Sequence, residues 1–237
     1  MGDARPLQLE TMEKRPHALV TGASSGIGAA VATRLLRDGW RVTGVSRRPA
    51  PFDHPAFDHL SLDLSDVDTI AGAVAALEPT ALVHAAGMLK VGPLGALNHD
   101  DGAAMWRLHV DVAERLANAL APRLPEGGRI VLIGSRTASG AAGRGQYAAT
   151  KAALVALARS WAMELAPKGI TVNVVAPAAT ETPMLKDPTR ADVAPKLPPI
   201  GRFIRPEEVA GAVAFLLSAE AAAITGQQIV ICGGSSL

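Results

Sequence analysis

Residues Thr21 to Gly28 read Thr-Gly-Ala-Ser-Ser-Gly-Ile-Gly, between the apolar run Ala18-Leu19-Val20 and an amphipathic stretch from Ile27 to Gly39. Three glycines within seven residues let a backbone turn sharply out of a strand and bring its N–H groups against a ligand that side chains would exclude. The helix after the turn offers unpaired N–H groups and the positive end of its dipole, so the ligand that fits is an anion, a phosphate above others. Gly22, Ser24, Ser25, Gly26, Ile27 and Gly28 are therefore the first candidate binding residues.

Strands and helices alternate around that turn. His17 to Thr21 is the expected first strand, feeding a helix that Gly39 stops as a C-cap residue. Arg41 to Ser46 is β-branched and alternating, and a proline-rich loop comes after it. Leu60 to Leu64 is expected as a third strand and Asp66 to Leu77 as a helix capped by Ser65. Ala81 to His84, apolar without alternation, is expected as a strand buried on both faces. Helices over 102–124, 147–167 and 206–218 and strands over 129–134, 171–176 and 228–232 complete the pattern. This alternation predicts one α/β domain over residues 17–237, a Rossmann-type doubly wound parallel sheet of about seven strands with helices on both faces. Residues 184–205 are proline-rich and aperiodic, which marks a substrate loop. Two helices, 103–121 and 148–166, are apolar on more than one face; another subunit or an internal loop covers the second face, and a homotetramer or homodimer is expected.

Composition narrows the partners. Of 237 residues 49% are hydrophobic and 19% charged, yet no run of 18 apolar residues lacks a charge or turn former, so no membrane span is expected. Residues 1–16 carry mixed charges and no apolar signal core, and are expected as a disordered extension of a cytoplasmic protein. A lone Cys232 permits no internal disulfide, and six scattered histidines show no metal-ligand spacing. A net charge of +1 builds no field for nucleic acid, which leaves a small molecule as the expected partner.

Rossmann-type sites place an acid about 20 residues after the glycines to read a ribose 2′-hydroxyl, or an arginine to meet a 2′-phosphate. Here that place reads Ser46-Arg47-Arg48. A guanidinium matches phosphate geometry, so NADP(H) is expected over NAD(H); otherwise these are solvated loop residues. The single tyrosine, Tyr147, precedes Lys151 by four residues, which puts both on one helix face. A phenol titrates near 10, and an ammonium about 4 Å away stabilises its phenolate by about 4 kcal/mol before desolvation opposes it. Tyr147 then becomes a proton donor and acceptor near neutrality. Ser135, at the end of the fifth strand, stands on the sheet edge where ligands bind and would orient a substrate oxygen; Ser139, further into the loop, is the alternative.

Together these motifs resemble the short-chain dehydrogenase/reductase family from about His17 to Gly234. Gly22, Gly26 and Gly28 match its cofactor turn, Asp63, with Leu64 beside it, its adenine-contacting aspartate, and Ala85-Ala86-Gly87 the tail of its Asn-Ala-Ala-Gly motif. Ser135, Tyr147 and Lys151 match its catalytic serine, tyrosine and lysine. Asn173 and the segment Pro177 to Thr182 are similar to the region before its substrate lid, with Thr180 near the nicotinamide carboxamide and Thr182 near the pyrophosphate. The resemblance implies hydride transfer between nicotinamide and a carbonyl compound or secondary alcohol, Tyr147 passing the proton, Lys151 also holding the ribose, and Ser135 steadying the carbonyl. Nucleotide-dependent epimerisation or dehydration and a non-catalytic nucleotide-binding sensor or scaffold are the other readings.

The chain departs from the family pattern at four places. His84 replaces the first asparagine of the Asn-Ala-Ala-Gly motif, Ala178 the glycine after Pro177, and Ile231-Cys232-Gly233-Gly234 stands for Val-Asp-Gly-Gly. Asp111 falls where many members have a helix asparagine in the proton relay, which makes it a candidate catalytic residue; a pairing shifted by two residues puts His109 there instead.

Overall fold

The computed structural model describes residues 15–51, 53–186 and 196–237. Nearly all of the extension expected over 1–16, and the middle of the loop expected over 184–205, lie outside the described residues.

Seven parallel strands form one sheet: β1 (His17–Thr21), β2 (Arg41–Ser46), β3 (Phe57–Ser61), β4 (Ala81–His84), β5 (Arg129–Ile133), β6 (Thr171–Pro177) and β7 (Gln228–Ile231), in the order β3-β2-β1-β4-β5-β6-β7. Every residue of β1, β4, β5 and β6 is buried, which is why these strands are apolar on both faces. The edge strand β3 is half-exposed. Helix α1 (Gly26–Arg37) and helix α6 (Pro206–Leu217) cover one face, packing Leu35, Leu36, Val213 and Leu216 against Val20, Val83 and Val131. The other face is covered by a single α turn, α2 (Ile70–Ala73), by the segment α3 (His99–Trp106) and α4 (Val112–Leu120), and by α5 (Gly145–Leu165), with Leu116, Leu120, Leu154 and Ala158 packed on Leu19, Leu82 and Leu132. The chain order reverses between β1 and β4, so their carboxyl ends open a crevice at the switch point.

Four expected elements differ. The third strand is Phe57–Ser61 rather than 60–64, paired from Val42 opposite Phe57 to Ser46 opposite Ser61. At a sheet edge Asp58 stays in water and pairs with Arg41 at 2.9 Å, so polarity there does not exclude a strand. The helix expected over 66–77 is a 3₁₀ turn, Val67–Thr69, followed by α2; Ser65 does not cap it but donates its N–H and hydroxyl to the Asp63 carboxylate at 3.0 and 2.8 Å. The helix expected over 102–124 starts earlier, where the Asn98 side chain accepts the N–H groups of Asp100 and Asp101. It is interrupted by a π turn, Arg107–Asp111, in which the Val112 N–H reaches back to the Arg107 carbonyl. Helix α5 starts at Gly145, two residues before the expected Tyr147, so the tyrosine lies inside its first turn.

On α5, Leu154, Ala158 and Ala162 face the sheet, Val155, Leu157, Trp161 and Leu165 are partly buried beside the core, and Met163 is 74% exposed. Among the described residues no helix is long and apolar enough to cross a membrane.

Candidate active site

The crevice at the switch point is a cleft of about 1040 Å³ that runs from Ser46, Arg47, Arg48, Asp63 and Leu64, past the glycine turn and Ala85-Ala86-Gly87, to Ser135, Tyr147 and Lys151. Gly22 and Gly26 have φ of 71° and 57°, which side-chain-bearing residues rarely adopt. A Cβ at Gly22 would lie 3.0 Å from Ala86, and one at Gly28 would overlap the Gly22 carbonyl. The turn is therefore bare backbone at the N-terminus of α1, with Ser25 extended just before the helix. This cradle fits a dinucleotide pyrophosphate: its N–H groups and helix end favour an anion, and no side chain fills it.

Thr21 joins the turn to the strand beside it. Its hydroxyl accepts the N–H groups of Ala85 and Ala86, both at 3.0 Å, and so directs its own proton to His84 Nδ1 at 2.9 Å. That places the imidazole proton on Nε2, which is buried near the Leu108 and His109 backbone without a hydrogen bond of good geometry among the described residues. Burial, and then the charge of Lys151, push the His84 pKa down to about 3, so the imidazole is neutral.

Across the cleft, α5 carries Tyr147 and Lys151 one turn apart. Lys151 Nζ lies 5.8 Å from the centre of the Tyr147 ring and donates to the Ile133 carbonyl at 2.8 Å. Burial pulls the lysine pKa from 10.5 to about 7. Tyr147 in the first turn of α5 meets the positive end of that helix, which adds to the stabilisation of a phenolate. Ser135 lies just beyond β5 and is buried, with Oγ 2.8 Å from the Thr137 hydroxyl and accepting the Thr137 N–H at 3.2 Å. Ser139 is exposed and does not line the cleft.

Asp111 does not line the cleft, and His109 does. Both residues lie in the π turn Arg107–Asp111, and the pairing with the family's helix asparagine that is shifted by two residues is the one whose side chain reaches the cleft. His109 is fully buried, its ring edge-on to Tyr147 at 5.7 Å. Its Nε2 accepts the Met88 N–H at 3.1 Å, and Nδ1 lies 2.8 Å from Thr150 Oγ1, which donates to the Tyr147 carbonyl at 2.8 Å. Each link fixes the next, so Nδ1 carries the proton and His109 is held neutral; burial, then Lys151, also hold its pKa well below 6.5.

Pro177 at the end of β6, and Thr180 and Thr182 beyond it, line the cleft. Thr180 donates to the Ala178 carbonyl at 2.9 Å, and Thr182 lies against Gly26. Asn173 is away from the cleft: its side chain donates to the Ile224 carbonyl and accepts the Gln227 N–H, bracing β6 to the turn before β7. Ser46 is buried with its hydroxyl donating to the Arg48 carbonyl at 2.7 Å, while Arg47 and Arg48 are exposed at the cleft mouth. The Ser65 hydrogen bonds, and to a smaller extent Arg47, hold the Asp63 carboxyl below its usual range. Sequence reasoning missed Thr21 as a brace and Arg107, Arg136 and Arg144 as lining residues. The last two could have been noticed from their closeness to Ser135 and Tyr147.

The family model described as enoyl-(acyl carrier protein) reductase matches residues 22–236. The 3-oxoacyl-[acyl-carrier-protein] reductase FabG of Salmonella typhimurium is 36% identical over 234 residues, covering 92% of this chain and 96% of that protein. The cyclic-di-GMP-binding biofilm dispersal mediator protein of Escherichia coli is 35% identical over 229 residues, covering 91% and 94%. A crystal structure of a short-chain dehydrogenase from Burkholderia cenocepacia in complex with NADP superposes with a TM-score of 0.81 at 32% identity, over 94% of this chain and 98% of that one. With its seven-stranded parallel sheet and its glycine turn, the chain belongs to the short-chain dehydrogenase/reductase family of oxidoreductases.

Proposed function

We propose that the protein interconverts a carbonyl compound and a secondary alcohol with NADP(H), in preference to NAD(H), with Tyr147 as general acid and base. The observation that carries this reading is the convergence of Ser135, Tyr147 and Lys151 on one end of a cleft whose middle is the phosphate-cradling glycine turn. Gly22 to Gly28, with Thr182, would hold the pyrophosphate. Asp63 and Leu64 would hold the adenine side, Arg47 and Arg48 the 2′-phosphate, and Ala85 to Gly87, Lys151, Pro177 and Thr180 the nicotinamide riboside. When bound, the nicotinamide supplies or accepts the hydride.

Tyr147 gives its phenolic proton to the carbonyl oxygen during reduction and recovers one from solvent afterwards. Lys151, with Nζ 5.8 Å from the centre of the Tyr147 ring, lowers the cost of the phenolate when it is charged. Ser135, turning its hydroxyl from Thr137, donates to the same oxygen. Asp111 has no part in this reading, and His109 acts by holding the Met88 backbone and the first turn of α5.

Tyr147→Phe keeps the ring and removes the proton, so turnover of a carbonyl substrate with NADPH should fall by about 10²–10⁴ while NADPH affinity is kept. Turnover within a factor of a few of the parent overturns the reading. A nucleotide-binding sensor, the reading favoured by the name of the cyclic-di-GMP-binding relative, predicts no turnover in either protein. The compartment we read as the cytoplasm. The assembly we read as a homotetramer or homodimer through α3 to α5, on which Trp106 and Met163 are 45% and 74% exposed.

A further inference from the structure

The far end of the cleft, beyond Tyr147, is a place the proposed reaction does not account for. Its walls are apolar at Met88, Leu89, Leu108 and Leu197, as the body of a small organic substrate would require. Among the described residues its charged side chains are of one sign. Arg107, Arg136 and Arg144 line it, and the only side-chain carboxylate among the described lining residues is Asp63, at the opposite end beside Arg47. Among the described residues no ion pair engages Arg107 or Arg136.

Two of these arginines are placed by the machinery of the site. Arg136 directly follows Ser135, at the start of the 3₁₀ turn that Ser135 caps. Arg144 immediately precedes α5 and lies three residues before Tyr147. Its backbone is pinned by a hydrogen bond to the Ala141 carbonyl at 3.1 Å and by a bridge to Gly92. Burial draws the Arg144 pKa down, Tyr147 opposes that and Arg136 adds to it, so the two guanidiniums and the phenol share one electrostatic neighbourhood. Two partly buried guanidiniums beside one cleft offer an oxyanion charge-assisted, bidentate hydrogen bonds.

We propose that Arg136 and Arg144 bind an oxyanion on the substrate, so that the carbonyl compound this site takes is anionic, bearing a carboxylate or phosphate close to the reacting carbonyl. This deepens the carbonyl–alcohol reading of the same site and rests on it. A carbonyl oxygen between Ser135 and Tyr147 leaves its neighbouring substituent within the span from Arg136 to Arg144, and Arg107 at the rim steers the anion inward.

The test compares matched pairs with NADPH: phenylglyoxylate against its methyl ester for a carboxylate, and dihydroxyacetone phosphate against dihydroxyacetone for a phosphate. At least one anionic member should exceed its neutral partner by tenfold or more in kcat/KM, and the pair that does so identifies the oxyanion. In Arg136→Gln and Arg144→Gln that ratio should fall at least tenfold, mainly through KM for the anion. Neutral members reduced as well as or better than both anions overturn the proposal and leave the carbonyl–alcohol reading standing. If no carbonyl compound is reduced, that reading falls, and the anion site is decided by binding alone. Benzoate or phenyl phosphate, but not benzamide, should then raise the melting temperature of the NADPH-loaded protein, and equal effects of all three overturn the proposal.

Discussion

Lys151 is taken out of water, and among the described residues no acid pairs with it. It is 4% exposed, its Nζ donates to the Ile133 carbonyl, and burial draws its pKa from 10.5 to about 7. Between those values the unfolded chain holds a proton that the folded chain has released, so stability rises with pH through that window and levels off above it. Below pH 7 the lysine is charged in both states and the full burial penalty applies. At about 1.4 kcal/mol per unit the drop is worth roughly 5 kcal/mol. The part recovered between about pH 7.5 and about pH 9.5 is about 2.5 kcal/mol. Lys151→Met keeps the stem, removes the ammonium and leaves the Ile133 carbonyl without that donor, at a cost of about 1 kcal/mol. The ligand-free variant should therefore be roughly 3 kcal/mol more stable than the parent at about pH 7.5, and the gap should close by about 2.5 kcal/mol by about pH 9.5. Urea unfolding of both proteins at fixed concentration across that range measures it. A parent at least as stable as the variant at every pH, or two curves that stay parallel, would refute the reasoning and mean that water or an anion reaches Nζ in the folded protein.

Arg47→Ala should weaken NADPH binding tenfold or more and spare NADH, because only NADPH carries the 2′-phosphate that a charged hydrogen bond worth about 1.5–3 kcal/mol would hold; equal weakening of both, measured by fluorescence titration, counts against it. His84, at about 3, and His109, well below 6.5, both gain protons on unfolding below pH 6.5. Their contribution to stability is present above pH 6.5 and lost as pH falls toward those folded-state values, so the urea midpoint should drop across this range and His109→Asn should flatten the drop; an unchanged acid profile in the variant would argue for a solvated imidazole. Light scattering at micromolar concentration should return a dimer or tetramer mass, and a strictly monomeric mass rules out pairing through α3 to α5.

Much of this fold was legible in the chain because its signals are local. Glycine at 22, 26 and 28 is required by backbone geometry that no other residue meets, and unbroken apolar runs such as Ala81 to Val83 announce strands covered on both faces. Tyr147 and Lys151 share a face by helical spacing alone, so their meeting needed no knowledge of the sheet. What the tertiary structure decided was non-local. The edge position of β3 lets Phe57-Asp58-His59 be a strand despite its polarity, since pairing with β2 supplies what burial does not. In the π turn at Arg107–Asp111 it is His109 and not Asp111 that lines the cleft, a choice between two nearby residues that the sequence motif left open. Thr21 is an ordinary strand residue in sequence and becomes a brace only when β4, 63 residues away, lies beside it. Helical and strand periods are written in neighbouring residues, whereas the partners of a buried hydroxyl or imidazole come from other strands and helices, which only the folded chain brings together.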